Sequence, residues 1–434
     1  MSNSLYSRIN YFSRSKFVRN VLAVATGVAA AQAISLAFMP FLTRLYGPEA
    51  FGALAAFTAI LNIITPLATL GYANAIVMPK TQEGANAVAR LSLVSAVIAS
   101  PVALIVIYAF QEQLASLAGL SSEPNLLYLI PISLVLVALL SVANQAAIRE
   151  GLFKAKSSSY VASTFIMNLG KLGAGYISAT GITLIIFLII SNLINYTMLM
   201  ARVPKVGAFD FRQWFGISGI RQAAFDYKDF AIYRMPQSVI NAATLGLPVI
   251  LLSNFFGSAA AGQYSLTVLV LGAPIMLLGQ SIGEVFYPKI TQAIINNEVS
   301  AKKILIKSTL ILALCSLVIF LPVIFLGSII FPLVFGEEWL RAGQYAQWIS
   351  IWLIGVLASR TCIAAFPVLK LQRYLLIQEI ISVILRTSAL YIGFKYFESD
   401  LLAIALFSLV GFFLTICMIL VTYLRLNYQL CSKE

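Results

Sequence analysis

Two basic residues stand near the middle of long apolar stretches of this chain. Lys171 lies in FIMNLGKLGAGYIS and Arg386 in EIISVILRTSALYIG. A cation within a bilayer is costly, so it usually faces a protein interior or a water-filled cavity and pairs with a negative group. Here Glu379 is the one acid clearly inside an apolar stretch. This imbalance predicts an interior that is suited to binding an anion.

Other charged residues extend this hypothesis. Arg360 lies nearer the end of its apolar stretch and is expected to support the anion, while Arg234, Arg90 and Arg19 would line an entrance. The alternatives are that such side chains bond backbone carbonyls, extend to the membrane surface or only set topology. Glu379 either carries a coupling proton or sodium ion, or only moderates a positive cavity.

The composition is that of a membrane protein. Hydrophobic residues make up 60% of the 434 positions, charged residues 10%, and the mean hydropathy is +0.92. One helix needs about 20 apolar residues to cross a bilayer. The chain therefore predicts an all-α polytopic protein with about twelve transmembrane helices. The predicted spans are 19–42, 51–77, 89–110, 126–148, 161–179, 182–201, 235–254, 262–283, 305–330, 344–366, 375–394 and 401–424.

The basic residues predict the orientation of these spans. With the N-terminus inside, the outer loops hold only Arg44, Arg341 and Lys395, and nearly all other Lys and Arg residues fall in cytoplasmic segments. Such a bias predicts that both termini are cytoplasmic. Because the net charge of +13 is spread over many short loops and forms no single patch, nucleic acid is not expected as a partner.

A repeat relates the two halves of the chain. Four residues of the first two spans recur about 210 positions later: Pro40, Gly47, Gly52 and Pro66 are echoed by Pro248, Gly257, Gly262 and Pro274. This predicts two parallel six-helix lobes, 1–201 and 235–434, around a central cationic cavity. Lys171 and Arg386 would be equivalent positions of the two lobes, at the depth where such transporters bind substrate.

The segment between the lobes, 202–234, is predicted to be a basic cytoplasmic linker. Phe211, Trp214, Phe215 and Ser218 follow helical spacing, which favours an amphipathic helix lying on the inner leaflet. The alternative is a solvated linker with aromatic anchors.

Several chemistries lack their residues. The chain has no histidine, no GxxxxGK[ST] loop for ATP, and four cysteines without metal-ligand spacing. These absences predict that the protein is not an enzyme and uses neither a cofactor nor a metal.

Two long segments resemble a known family. The run FMPFLTRLYGPEAFGALAAFTAILNIITPLATLGYANAIVMPK (38–80) and the run KDFAIYRMPQSVINAATLGLPVILLSNFFGSAAAGQYSLTVLVLGAPIMLLGQSIGEVFYPK (228–289) are similar to the corresponding spans of Wzx-type oligosaccharide flippases. These belong to the multidrug/oligosaccharidyl-lipid/polysaccharide flippase superfamily.

The resemblance implies a substrate and a place in the cell. It implies alternating access in the bacterial inner membrane, moving undecaprenyl-pyrophosphate-linked oligosaccharide units of O-antigen, capsule or exopolysaccharide from the cytoplasmic to the periplasmic leaflet. Coupling to an ion gradient is a family-level expectation, with membrane lipid, a polysaccharide polymerase and a chain-length regulator as further partners. On this hypothesis Lys171 and Arg386 hold the pyrophosphate.

Two alternatives remain open. One is a cation-coupled multidrug exporter, although spans 19–42 and 51–77 lack the acid that such exporters often carry there. The other is a membrane-embedded polysaccharide polymerase, for which Glu337, Glu338 and Asp400 are the outward acids of note.

Overall fold

A computed structural model of the chain describes residues 16–121, 123–202, 211–295, 300–369 and 371–431, which form helices and turns and contain no strand. The α-helices in chain order are α1 (Lys16–Leu45), α2 (Pro48–Thr69), α3 (Gln82–Ala118), α4 (Ile130–Arg149), α5 (Phe153–Gly175), α6 (Gly181–Arg202), α7 (Ile220–Asp226), α8 (Met235–Phe256), α9 (Ser258–Ile295), α10 (Ser300–Phe335), α11 (Leu340–Ala358), α12 (Arg360–Leu369), α13 (Gln372–Phe397) and α14 (Asp400–Cys431).

The all-α polytopic prediction is confirmed. Every predicted span overlaps a helix, although span 51–77 runs from α2 into the 3-10 turn Tyr72–Val77 and span 344–366 crosses from α11 into α12. Ten helical segments of the described chain are long and apolar enough to cross a membrane. An eleventh is obtained if α11 and α12, which meet at a bend of 40°, form one broken span. Helix α5 has 23 residues but is more polar, so a count of twelve stays a prediction.

The outer surface of the helices is apolar. Along α10, large hydrophobic side chains at intervals of four and seven residues are exposed: Leu310, Leu314, Val318, Phe325, Ile329 and Leu333. Such a stripe facing water would be strongly unfavourable, whereas lipid solvates it without cost. The exposed stripe is therefore the face that a bilayer covers.

The chain divides into two compact units, Met1–Ile250 and Leu251–Glu434. The sequence predicts that the second lobe begins at 235, at the start of α8, whereas most of α8 clusters with the first unit.

Three helix pairs of the first unit recur in the second. In the first, α3 packs on α4, α4 on α6, and α5 on α6. In the second, the helices at the corresponding places do the same: α10 packs on α11, α11 on α14, and α13 on α14. This agreement is what a duplicated six-helix unit would produce.

Small residues bring α5 close to its neighbours. A Cβ added at Gly27 of α1 would lie 1.6 Å from Ser157 Oγ, and one at Gly170 would lie 2.4 Å from Phe187 Cε1 of α6. Because lipid supplies no hydrophobic drive between helices, such close backbone approach is a main source of packing energy in membranes. Helix α5, which carries Lys171, is thereby held between α1 and α6.

The junction before α8 differs from its prediction. No amphipathic helix runs through Phe211, Trp214, Phe215 and Ser218: a 3-10 turn covers Phe211–Trp214, and α7 begins only at Ile220. Gly216 and Gly219 adopt positive φ angles of 114° and 76°, which interrupt a right-handed helix.

This junction is attached to α3. The Asn86 side-chain amide donates to Gln213 Oε1 at 2.5 Å, and the Arg90 guanidinium donates to the backbone oxygens of Gln213 and Ser218 at 2.7 and 3.0 Å. Trp214 is only 2% exposed and packs in a core cluster with residues of α3 and α4. The indole therefore anchors the junction to the protein and not to the leaflet.

We expect Trp214→Ala to destabilise the protein, because removing a buried aromatic side chain costs about 3–5 kcal/mol. The neighbouring Phe215, which is 56% exposed, provides the matched control Phe215→Ala. Thermal stability is measured as the temperature at which half of the monodisperse protein peak in detergent is lost. This temperature should fall for Trp214→Ala and stay unchanged for Phe215→Ala. Equal midpoints would contradict the anchoring role of the indole.

Candidate cation sites in two helical units

Lys171 lies in the first unit, near the C-terminal end of α5. The helix begins eight residues before the predicted span 161–179 and ends at Gly175, so Lys171 stands in the last two turns and not at the midpoint. At its last residue, Gly175, the helix packs against the end of α1. A Cβ at Gly175 would lie 2.2 Å from Leu45 Cδ2 and 2.8 Å from Tyr46 Cε2.

The backbone at Lys171 is fixed, and its side chain is not paired. The hydroxyl of fully buried Tyr46 donates a 2.8 Å hydrogen bond to the backbone oxygen of Lys171. In the described part of the chain no hydrogen bond or ion pair involves the Lys171 ammonium group. A half-buried cation on a firmly held turn is thus available to an external anion.

Arg386 lies in the second unit, in the middle of α13. Its guanidinium carbon is 3.8 Å from the ring centroids of both Trp352 on α11 and Phe407 on α14. The two rings are inclined by 79°, so the guanidinium occupies a corner between them and can stack flat on only one. Cation–π contacts of this kind contribute about 2 kcal/mol when desolvated.

Further residues complete this corner, which we call the aromatic corner of Trp352, Phe407 and Tyr264. Tyr264 of α9 is 5% exposed, makes an edge contact with Phe407 at 6.1 Å, and interacts electrostatically with Arg386. A Cβ at Gly411 would lie 2.8 Å from Trp352 Cδ1, so glycine leaves the space that the indole fills. Arg386 Nε is buried without a hydrogen-bond partner in the described chain.

Arg360 lies at the bend between α11 and α12, where the helix direction changes by 40°. Its Nε atom is also buried without a hydrogen-bond partner among the described residues. The second unit therefore holds two arginines whose charge no described carboxylate neutralises.

Arg341 shows the contrasting case of a paired arginine. Its guanidinium forms an ion pair with Asp400, with Nε donating to Oδ2 at 2.9 Å, and Tyr345 also donates to the same carboxylate. These contacts join the start of α11 to the start of α14. Asp400 is therefore already engaged in structure, which weakens its candidacy as a catalytic acid.

The predicted entrance arginines have different surroundings. The Arg90 guanidinium is occupied by hydrogen bonds to the backbone oxygens of Gln213 and Ser218, so Arg90 has a structural role besides the predicted role at the entrance. Arg234 is exposed and donates to Gln237 Oε1 at 3.1 Å. Arg19 is in the first turn of α1, and its side chain lies outside the described residues.

Three further observations help to delimit the site. Glu379 is exposed on α13, seven residues before Arg386. A cavity of about 430 Å³ in the first unit has only apolar lining residues, from α2, α3, α4, α8 and the 3-10 turn Pro124–Leu129, so it offers nothing to a charged group. No three His, Cys, Asp or Glu side chains of the described chain come together as a metal site would require.

Sequence reasoning found the three cations and missed the aromatic corner. Trp352 and Phe407 come from helices other than that of Arg386, so no spacing rule connects them with it. The only available signal was the presence of aromatic residues on apolar helices, which is common in any core.

The family described as "Polysaccharide biosynthesis protein" matches residues 41–344, which is most of the chain. The chain belongs to that family. The resemblance found in the runs 38–80 and 228–289 is thus confirmed, and the protein is a multi-pass membrane protein of a polysaccharide biosynthesis transporter family.

One curated relative is the succinoglycan biosynthesis transport protein ExoT of Rhizobium meliloti (strain 1021), which is 24% identical over 314 residues. The match covers 70% of this chain and 59% of that protein, so this chain spans less than two thirds of its relative.

Two solved structures share the fold of this family member. An inward-facing multidrug resistance MATE family transporter of the MOP superfamily matches with a TM-score of 0.69 and 14% identity, covering 96% of this chain and 99% of that one. The lipid II flippase MurJ in an inward closed conformation matches with a TM-score of 0.70 and 13% identity, covering 94% and 90%. At such identities the likeness establishes the fold alone.

We expect a double-mutant cycle to detect the contact between Arg386 and Trp352. Trp352→Leu and Arg386→Met should each lower the thermal midpoint in detergent, and together they should lower it by less than the sum, because both remove one shared interaction. The cycle of Trp352→Leu with Lys395→Met is the control, since Lys395 is on the same helix but contacts Tyr391. Additivity in both cycles would refute the contact.

Proposed function

We propose that this protein is a flippase for an oligosaccharide carried on undecaprenyl pyrophosphate, moving it from the cytoplasmic to the periplasmic leaflet by alternating access. The observation that carries the proposal is the set of membrane-helix cations without acidic partners. Lys171, Arg360 and Arg386 have no carboxylate partner in the described chain, whereas Arg341 has one. A pyrophosphate group supplies the missing negative charge.

The energetics favour an anionic substrate. Moving an unpaired charge into an apolar medium costs several kcal/mol even after relaxation. An anion that brings its own charge to such a site lowers this cost for both partners. A guanidinium or ammonium group also offers several N–H donors to phosphate oxygens.

The charge also separates this proposal from its alternatives. A lipophilic cation, the usual cargo of a drug exporter, would be repelled by three uncompensated cations. A polymerase needs a free acid or base at an aqueous face. Of the three outward acids, Asp400 is bonded to Arg341 and Tyr345, whereas Glu337 and Glu338 are exposed, so the polymerase alternative rests on these two residues. A transporter of an anionic lipid uses the residues as they stand.

Several finer parts of the proposal follow from the family and the charge pattern. The protein would lie in the bacterial inner membrane with both termini in the cytoplasm. Its working partners would be membrane lipid, a polysaccharide polymerase and a chain-length regulator. Glu379 would carry the coupling ion, since it is the exposed acid of α13.

Mass spectrometry of lipid extracts tests the function. A strain from which the gene for this protein is deleted should accumulate the undecaprenyl-pyrophosphate oligosaccharide and lose surface polysaccharide. A polymerase block also accumulates single units but still displays one unit at the surface, so that display must be scored. An intact surface glycan with no lipid-linked intermediate would refute the proposal.

Substitution of the cations tests the site. Lys171→Ala and Arg386→Ala should each abolish export at normal protein levels, because each removes a positive charge offered to the pyrophosphate. Lys395→Ala, which changes an exposed lysine of the same helix as Arg386, should export normally. Lys171→Arg should retain export if charge alone matters. Normal export by both alanine variants would overturn the site assignment and leave the function standing.

A further inference from the structure

A polar stripe runs from the end of the π-helical turn Phe230–Arg234 along the first half of α8. Arg234, Gln237 and Asn241 are all exposed, and their spacing of three and four residues places them on one face of the helical segment. The stripe extends about 10 Å along the helix axis. It belongs to a segment, Phe230–Phe256, that is long and apolar enough to span the membrane.

The polar groups of the stripe have spare hydrogen-bonding capacity. Arg234 donates to Gln237 Oε1, which leaves the Gln237 amide nitrogen free. Asn241 has no hydrogen-bond partner in the described chain, so it offers both a donor and an acceptor. Exposed amides with unmet hydrogen bonds are unfavourable against lipid, which indicates that this face borders water.

A second pair of amides lies beside the start of the stripe. Gln145 Nε2 of α4 donates to Asn74 Oδ1 at 3.2 Å, and Asn74 is exposed in the 3-10 turn Tyr72–Val77. This turn packs on the π-helical turn Phe230–Arg234, which immediately precedes α8. At the contact, a Cβ on Gly71 would lie 3.1 Å from the backbone oxygen of Phe230.

An aromatic ring flanks the same face. Tyr233, next to Arg234, is 71% exposed and so presents most of its ring and its hydroxyl. The π-helical turn that carries Tyr233 is a rare conformation, which proteins frequently use at functional sites. A flat aromatic ring beside neutral amides is complementary to a sugar, which has an apolar face and a rim of hydroxyl groups.

We propose that Gln237, Asn241, Asn74 and Tyr233 form a glycan-binding surface on the first unit, adjacent to Arg234. In the predicted topology this surface lies at the cytoplasmic side, where the substrate is loaded. Neutral amides donate to and accept from hydroxyl groups, whereas they add no charge to bind a pyrophosphate. The surface therefore recognises the sugar part of the substrate and leaves the pyrophosphate to the cations. This inference rests on the proposed function.

Two lipids that differ only in their sugars test the surface. Purified protein in nanodiscs is titrated with undecaprenyl pyrophosphate and with the undecaprenyl-pyrophosphate oligosaccharide isolated from the strain that lacks this chain. For the double variant Gln237→Leu/Asn241→Leu we expect about a tenfold higher Kd for the oligosaccharide lipid, because two hydrogen bonds are lost. The Kd for the sugar-free lipid should not change.

Gln222→Leu is the matched control, because Gln222 is an exposed amide of the same unit that bonds only to Asp226, one helical turn away. Asn74→Ala provides a second variant on a different element, with a smaller rise expected for the oligosaccharide lipid alone. Thermal midpoints of all variants should match that of the unaltered protein.

The outcomes separate the two proposals. Unchanged binding of both lipids by the double variant and by Asn74→Ala would overturn the glycan surface while the flippase proposal stands. An equal loss for both lipids would also overturn it, since the stripe would then act on the pyrophosphate or on the fold. If the unaltered protein binds neither lipid, the flippase proposal fails, and the glycan surface fails with it.

Discussion

The structure depends on how positive charge is tolerated among apolar helices. Burying an isolated cation in a low-dielectric interior is unfavourable in free energy, and the described chain compensates for this in different ways. Arg341 is neutralised by Asp400, and Arg386 is held by aromatic rings. Lys171 is supported only through its backbone, by the Tyr46 hydroxyl. The charge that remains unmatched is the observation on which the proposed anionic substrate rests.

Close helix packing is what holds these cations in place. In the first unit, glycines let α1 and α6 approach α5 on either side of the turn that carries Lys171. In the second, α13 approaches α14 so closely that a Cβ at Gly393 would lie 2.3 Å from Ala403 Cα, while Gly411 makes room for the Trp352 indole. The packing of α5 on α6 recurs as that of α13 on α14, so Lys171 and Arg386 lie on helices that share one corresponding neighbour.

Periodicity and charge predicted the helices, their approximate ends and the cations Lys171, Arg360 and Arg386. An apolar span and a charged residue that interrupts it are both local properties of the sequence. Contacts between distant segments were not predictable. The aromatic corner joins three helices, and Arg90 reaches a junction more than 120 residues away, at Gln213 and Ser218. The break at Gly216 and Gly219 was visible as two glycines, but helical spacing of the aromatic residues outweighed it. The contacts of Tyr46 with Gly175 and with the backbone oxygen of Lys171 also join residues more than 120 positions apart, which spacing does not encode.

The aromatic corner also bears on how an anion could be released after transport. A transporter must bind its cargo well enough to load it and weakly enough to let it leave. If Arg386 binds the pyrophosphate as we propose, a bare arginine in an apolar interior would hold it more firmly, since no other group would stabilise its charge. Arg386 already interacts with Trp352 and Phe407, at about 0.5–2 kcal/mol for each cation–π contact. An anion that binds Arg386 replaces these cation–π contacts with contacts to itself. The net affinity for the anion is therefore lower, while the positive charge that selects an anion over a cation is kept.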